Sequence, residues 1–178
     1  MSCDPHAGRL LSVLAAAIPP GGRILELGTG VGLGLAWIVA GLDERADVAV
    51  HSVEMDTAAA GVSATADWPA WVTLHVGDAL QLLPTLGQFD LIFADAQGGK
   101  TEGLDLTLAA LAPGGQLLVD DMFEQPDNPV HRAVWPAIQA VRQRLLGDPS
   151  LMVAELDYGT GMVLCTRRSS ALGTRPPA

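Results

Sequence analysis

Short apolar runs rich in β-branched residues alternate along this chain with longer stretches whose apolar positions recur at helical spacing. Residues Ala7–Ala17 carry the helical period and stop before Pro19-Pro20. Arg23–Leu27 reads as the first strand. Gly32–Leu42 reads as a helix apolar nearly all round, as expected of one packed on a sheet. The pattern then predicts a strand over Val48–Glu54, a helix over Thr57–Ala66 capped by Asp56, and a strand over Val72–Val76. A short helix at Leu80–Leu86 precedes a strand at Phe89–Ala94. Gly103–Leu111 follows as a helix stopped by Pro113-Gly114-Gly115, then Gln116–Asp120 as a strand and Pro129–Leu146 as a long helix. Leu151–Asp157 and Gly161–Thr166 complete the series as a hairpin.

Strands that alternate with helices imply a doubly wound α/β fold: a mostly parallel, seven-stranded sheet with helices on both faces and an antiparallel C-terminal hairpin. The chain shows neither internal repeat nor linker, so residues 1–166 are expected to form one domain and the Pro-containing stretch 167–178 a disordered tail.

Composition narrows the class. Hydrophobic residues make up 49% of the 178, enough for a sizeable core. No apolar run reaches membrane-spanning length and no secretory leader is recognisable, so no membrane partner is expected. The two cysteines, Cys3 and Cys165, do not make a disulfide framework, which favours the cytoplasm. A formal net charge of −10 repels a phosphate backbone, so a small-molecule partner is expected and nucleic acid is not.

The chemistry concentrates where predicted strands end. After the first strand, Glu26-Leu27-Gly28-Thr29-Gly30-Val31-Gly32 makes a glycine turn into a helix, where backbone N–H groups are free to meet a ligand. The spacing is G-x-G-x-G, whereas the dinucleotide fingerprint is G-x-G-x-x-G. An acid ahead of the turn suits a ligand that carries ammonium and hydroxyl groups. Glu54 ends the second strand, where a carboxylate can accept both hydroxyls of a ribose. Gly77-Asp78-Ala79 follows the third, with Asp78 placed for an adenine edge or as the cap of the next helix.

In this order, Glu26-Leu27-Gly28-Thr29-Gly30, Val53-Glu54-Met55-Asp56, Gly77-Asp78-Ala79, Phe93-Ala94-Asp95-Ala96, Pro113-Gly114-Gly115 and Val119-Asp120-Asp121 resemble the motifs of the catechol and caffeoyl-CoA type O-methyltransferases, within the class I methyltransferases that use S-adenosylmethionine (SAM). The resemblance covers about Gly8 to Asp121. It implies a Rossmann-like fold and methylation of a small, catechol-like hydroxyl. It also implies a SAM site of Glu26, Gly28, Thr29, Gly30, Gly32, Glu54, Met55, Gly77, Asp78, Ala79 and Asp95.

The family uses Asp, then Asp-Asn, to hold a divalent ion such as Mg²⁺. This chain has Asp95, then Asp120-Asp121, which adds a negative charge. The family lysine that acts as general base falls on Gly98 here, and Lys100 is the nearest cation. The expected catalytic pair is therefore Asp95 with Lys100. Few residues precede the first strand, so the acceptor pocket is expected to be open or completed by a second subunit in a homodimer. Trp68, Trp71 and Trp135 read as packing residues, with lining of that pocket as the alternative, and His131 reads as a surface or pocket-rim histidine, with a second base as the alternative. Three other readings stay open at this stage: a metal-independent methyltransferase, a catalytically silent SAM-binding protein and a nicotinamide-dependent oxidoreductase.

Overall fold

A computed structural model describes residues 4–157 and 159–169. Its elements are α1 Pro5–Ala16, β1 Arg23–Leu27, α2 Leu33–Leu42, β2 Ala49–Glu54, α3 Thr57–Ser63, β3 Val72–Val76, α4 Ala79–Leu86, β4 Phe89–Ala94, α5 Leu104–Ala110, β5 Leu111–Val119, α6 Pro129–Leu146, β6 Leu151–Leu156 and β7 Met162–Arg167. The seven strands lie in the order β3-β2-β1-β4-β5-β7-β6. The first five pair in parallel and the last two are antiparallel. The expected doubly wound sheet with its terminal hairpin is thus the observed one.

Alternation within the strands builds two cores. Ile24, Leu91 and Phe93 point to the face covered by α1 and α2. Leu25, Leu27, Ile92 and Ala94 point to the face that carries α4, α5 and α6. Strands buried on both faces read as continuous apolar runs, and for that reason the sequence marks them so clearly. α1 and α2 cross closely. Ser12 Oγ donates to the Trp37 carbonyl at 2.7 Å, and a Cβ at Gly41 would stand 2.2 Å from the Ser12 carbonyl oxygen.

Two expectations change. Pro113-Gly114-Gly115 does not merely stop a helix: α5 already ends at Ala110 and β5 runs on through the triplet. Leu111 pairs with Phe89, the chain bulges, and pairing resumes at Gln116 with Leu91. Gly115 permits this, because a Cβ there would lie 2.9 Å from two backbone oxygens, those of Ala112 and Phe89. Arg167, placed in the tail by the sequence, is the last residue of β7. Its Nη1 donates to the Leu111 carbonyl at 2.5 Å. The rest of the expected tail from residue 170, and Cys3, lie outside the described residues. Among the described residues, no helix is long and apolar enough to cross a membrane.

Candidate active site

The carboxyl ends of β1, β2, β3 and β4 converge on three adjoining recesses. The first, about 210 Å³, is lined by Glu26, Gly28, Thr29, Gly30, Val31, Leu33, Gly34, Glu54, Asp95 and Ala96. The second, about 240 Å³, is lined by Gly28, Val53, Glu54, Met55, Gly77, Asp78, Ala79, Ala96, Gln97 and Gly98. The sequence-selected residues of the cofactor site therefore border two neighbouring cavities, with Gly28, Glu54 and Ala96 common to both. Such a crevice beyond the carboxyl edge is where parallel sheets bind ligands.

The glycine loop is shaped for close approach. Gly28, Gly30 and Gly32 take φ of 100°, 53° and 95°, the left-handed region that costs glycine nothing. Nothing stands within 4 Å of a Cβ built on Gly30, so that side of the loop is open. Gly32 is different from its expected role. It does not border the cavity; a Cβ there would press on Ser63 and Trp68 at 3.0 Å, so this glycine seats the loop on the layer below.

Glu54 braces the loop. Its Oε2 accepts from Gly30 N–H at 2.7 Å and its Oε1 from Asp56 N–H at 2.8 Å. Asp78 caps α4, accepting from Leu80 N–H at 2.8 Å, while still bordering the second cavity. It therefore caps the helix from the wall of that cavity. Met55, 72% exposed, lies open on the rim.

Glu26 is fully buried. The parallel register sets it beside Ser52. Ser52 Oγ donates to Glu26 Oε2, and Thr29 Oγ1 sits 2.5 Å from Ser52 Oγ. Among the described residues Glu26 Oε1 has no hydrogen-bond partner. Loss of solvent pushes this carboxyl up to about 8; Ser52 opposes the shift, and the charges of Asp95 and Glu54 add to it. Ser52 is a site residue that the sequence reading missed. It sits mid-strand among apolar neighbours, and its partner is on another strand.

The third recess, about 150 Å³, opens on the other side of Asp95 and Ala96. Gln97, Lys100, Thr101, Asp121, Gln125, Asn128 and His131 supply its polar lining, with Val130, Val134 and Ile138 as its apolar part. Lys100 is buried there and its Nζ donates to the Asp120 carbonyl at 3.1 Å. The two glycines before it let the loop fold back, as the sequence suggested. Burial, with the charge of Asp120 second, pushes Asp95 up to about 7, and Lys100 offsets part of the shift. Asp120 is raised as well, again mainly by burial.

Asp95, Asp120 and Asp121 share a further recess with Gln125, Asn128 and Thr160. Yet among the described residues no group of three or more His, Cys, Asp or Glu side chains is arranged to hold a metal ion. Two of the six oxygens already hold partners. Asp120 Oδ1 accepts from Asp121 N–H at 2.8 Å and from Thr160 Oγ1 at 3.0 Å, and Asp121 Oδ1 accepts from Gln125 Nε2 at 3.1 Å. The three carboxylates expected to converge on a divalent ion are neighbours without forming its cage. His131, read as a pocket-rim histidine, borders the third recess. Its Nδ1 faces Gln125 N–H at 3.4 Å and its Nε2 the Asp121 carbonyl at 3.2 Å, so it fastens the loop after β5 to α6. None of Trp68, Trp71 and Trp135 borders these cavities; all three pack against the cores.

A glycine loop after β1, an acid at the end of β2 and a second cavity across β4 define a Rossmann-like enzyme with a nucleoside-cofactor crevice. Comparison with known proteins gives the family. A profile described as a methyltransferase domain matches residues 25–122, more than half of the chain, and the chain belongs to that family. A curated Mycobacteroides abscessus protein, provisionally named an O-methyltransferase, is 28% identical over 172 residues, 92% of this chain and 80% of its own length. The O-methyltransferase TomG of Streptomyces achromogenes, involved in tomaymycin synthesis and solved in complex with SAM, is 26% identical. It superposes with a TM-score of 0.76 over 93% of this chain and 81% of its own. Cofactor-bound Rv0187 from MTB is 25% identical, with a TM-score of 0.78 over 96% of this chain and 83% of its own.

Proposed function

We propose that this chain transfers the methyl group of SAM to a hydroxyl oxygen of a small-molecule acceptor. The observation that carries the proposal is the shared wall: Asp95 and Ala96 border both the glycine-loop cavity and the cavity that holds Lys100. A donor in one and an acceptor in the other would meet at Asp95. The O-methyltransferases among the relatives, one of them with SAM bound, support the same reading.

SAM supplies an electrophilic methyl on a sulfonium. In the proposed site Glu54 accepts the ribose hydroxyls, Asp78 and Ala79 meet the adenine, and Glu26 faces the ammonium end. Asp95, held near 7, accepts the proton that leaves the acceptor hydroxyl. The Lys100 ammonium, fixed on the Asp120 carbonyl, stabilises the oxygen as it becomes negative. The family's general-base role thus passes here to Asp95. The carboxylates as arranged do not fit a divalent ion, and no step is routed through one.

Calorimetry with SAM and with its demethylated product, then transfer of labelled methyl to catechol in chelator, tests the proposal. Binding of both nucleosides and label in the catechol product are expected. Absence of binding overturns the cofactor assignment, and label that appears only after a divalent ion is added overturns the role given to Lys100.

A further inference from the structure

Beneath the glycine loop runs a chain of three side chains: Glu26 on β1, Ser52 on β2 and Thr29 in the loop itself. Glu26 is sealed from water. One of its oxygens is held by Ser52, the other has no hydrogen-bond partner among the described residues, and the residue lines the first cavity. Gly34 on α2 leaves the room: a Cβ there would sit 2.3 Å from Oε1. The groups that face this carboxyl from every side are either neutral or acidic. β2 presents Ser52 and Glu54, β4 presents Phe93, the residue after β4 is Asp95, and the loop presents Thr29. A carboxylate buried in acidic company with no cation carries a large desolvation cost, so the empty site holds the proton. The Ser52 hydroxyl donates to Oε2 and so favours the ionised carboxyl over the protonated one, opposing part of the burial cost.

We propose that Ser52 is a cofactor-positioning residue, and that entry of the cofactor's ammonium group expels a proton from Glu26 to solvent. This inference rests on the cofactor reading above. The exchange balances: Glu26–COOH and a cationic ammonium become a carboxylate–ammonium pair, and one H⁺ leaves. The Ser52 hydroxyl then holds the carboxylate at the wall of the cavity, and the same hydroxyl ties it to the loop that covers the ligand.

Calorimetric titration at pH 6.5, in buffers of different ionisation enthalpy, counts the protons released. With SAM or its demethylated product the wild type releases about one per molecule bound, because both carry the ammonium. Methylthioadenosine keeps the nucleoside and lacks the ammonium, and it binds without release. Glu26→Gln removes the release. Ser52→Ala takes away a donor to the ionised form, so the midpoint of the affinity-versus-pH curve moves upward and SAM binding at pH 6.5 weakens about tenfold. SAM that binds with heat independent of the buffer overturns the proposal. So does a Ser52→Ala loss that is uniform across pH, as a purely structural role would give. If Ser52→Ala does not fold, the wild-type buffer series and Glu26→Gln still decide. No binding of any of the three nucleosides overturns the cofactor reading instead.

Discussion

Glu54 holds the loop through Oε2 on Gly30 N–H, and steadies its own turn through Oε1 on Asp56 N–H, before any ligand arrives. A ribose adds hydrogen bonds to a carboxylate that is already oriented. Glu54→Ala should therefore weaken SAM binding by roughly 1–3 kcal/mol, the scale of a lost charged partner. Unchanged affinity by calorimetry would remove Glu54 from the ribose. At Asp95 the prediction is kinetic. A base held near 7 works only when ionised, so kcat/KM should climb with pH and level off above a midpoint near 7. Asp95→Asn should lower the rate by ~10²-fold or more and flatten that limb. A profile already level from pH 5 upward would assign the proton to another group. These acids were legible because each closes a predicted strand, where an acid has no packing role. Ser52 was not. Only the parallel register, which lays β2 beside β1, brings it to a residue distant in sequence.

At the scale of elements, the α1–α2 crossing is the tightest packing outside the sheet. Alanine at a helix-interior glycine ordinarily gains up to about 1 kcal/mol of helix propensity. At Gly41 the added methyl would meet backbone atoms of Ser12 at 2.2 to 2.8 Å, and backbone cannot swing aside as a side chain can. The clash should win. Gly41→Ala is expected to destabilise by roughly 1–3 kcal/mol in chemical denaturation. A gain in stability would mean that the helices part at little cost. Strand positions were read well because both faces are buried, and β1, β3 and β4 begin and end where the pattern put them. The Pro-Gly-Gly segment was misread for a local reason. The same residues that stop a helix also make a bulge, and only the neighbouring strand decides which. The metal site failed similarly. Residue types at strand ends specify neighbourhood, whereas a cage needs several oxygens turned to one point, and no such group is arranged among the described residues.

For the whole molecule, two buried acids carry the largest shifts near neutral pH, and His51 and His75, both lowered mainly by burial, act against them. Glu26 moves from 4.5 to about 8 on folding and Asp95 from 3.8 to about 7. A raised carboxyl binds more protons folded than unfolded. Its contribution is therefore complete below about 4 and is lost as pH rises toward 8. Asp47 and Asp148, both lowered to about 2 by hydrogen-bond partners, act in the opposite sense, and their share is lost only under stronger acid. The thermal midpoint of the ligand-free protein should therefore fall steadily between pH 5 and 8. Bound SAM should flatten the decline by giving Glu26 a counter-ion. A midpoint that climbs over that interval would contradict the burial of both groups.

Asp121 stands in the left-handed region, with φ of 57°. Aspartate and asparagine are among the few residues with a side chain that tolerate this conformation. The backbone here thus accepts either one, and the asparagine of the catechol-type pattern and the aspartate of this chain are equals as far as folding is concerned. One mutational step at this corner can add or subtract an acidic group on the wall of the third recess while the scaffold registers nothing. A lineage can therefore retune its electrostatics at this position without a detour through misfolded ancestors.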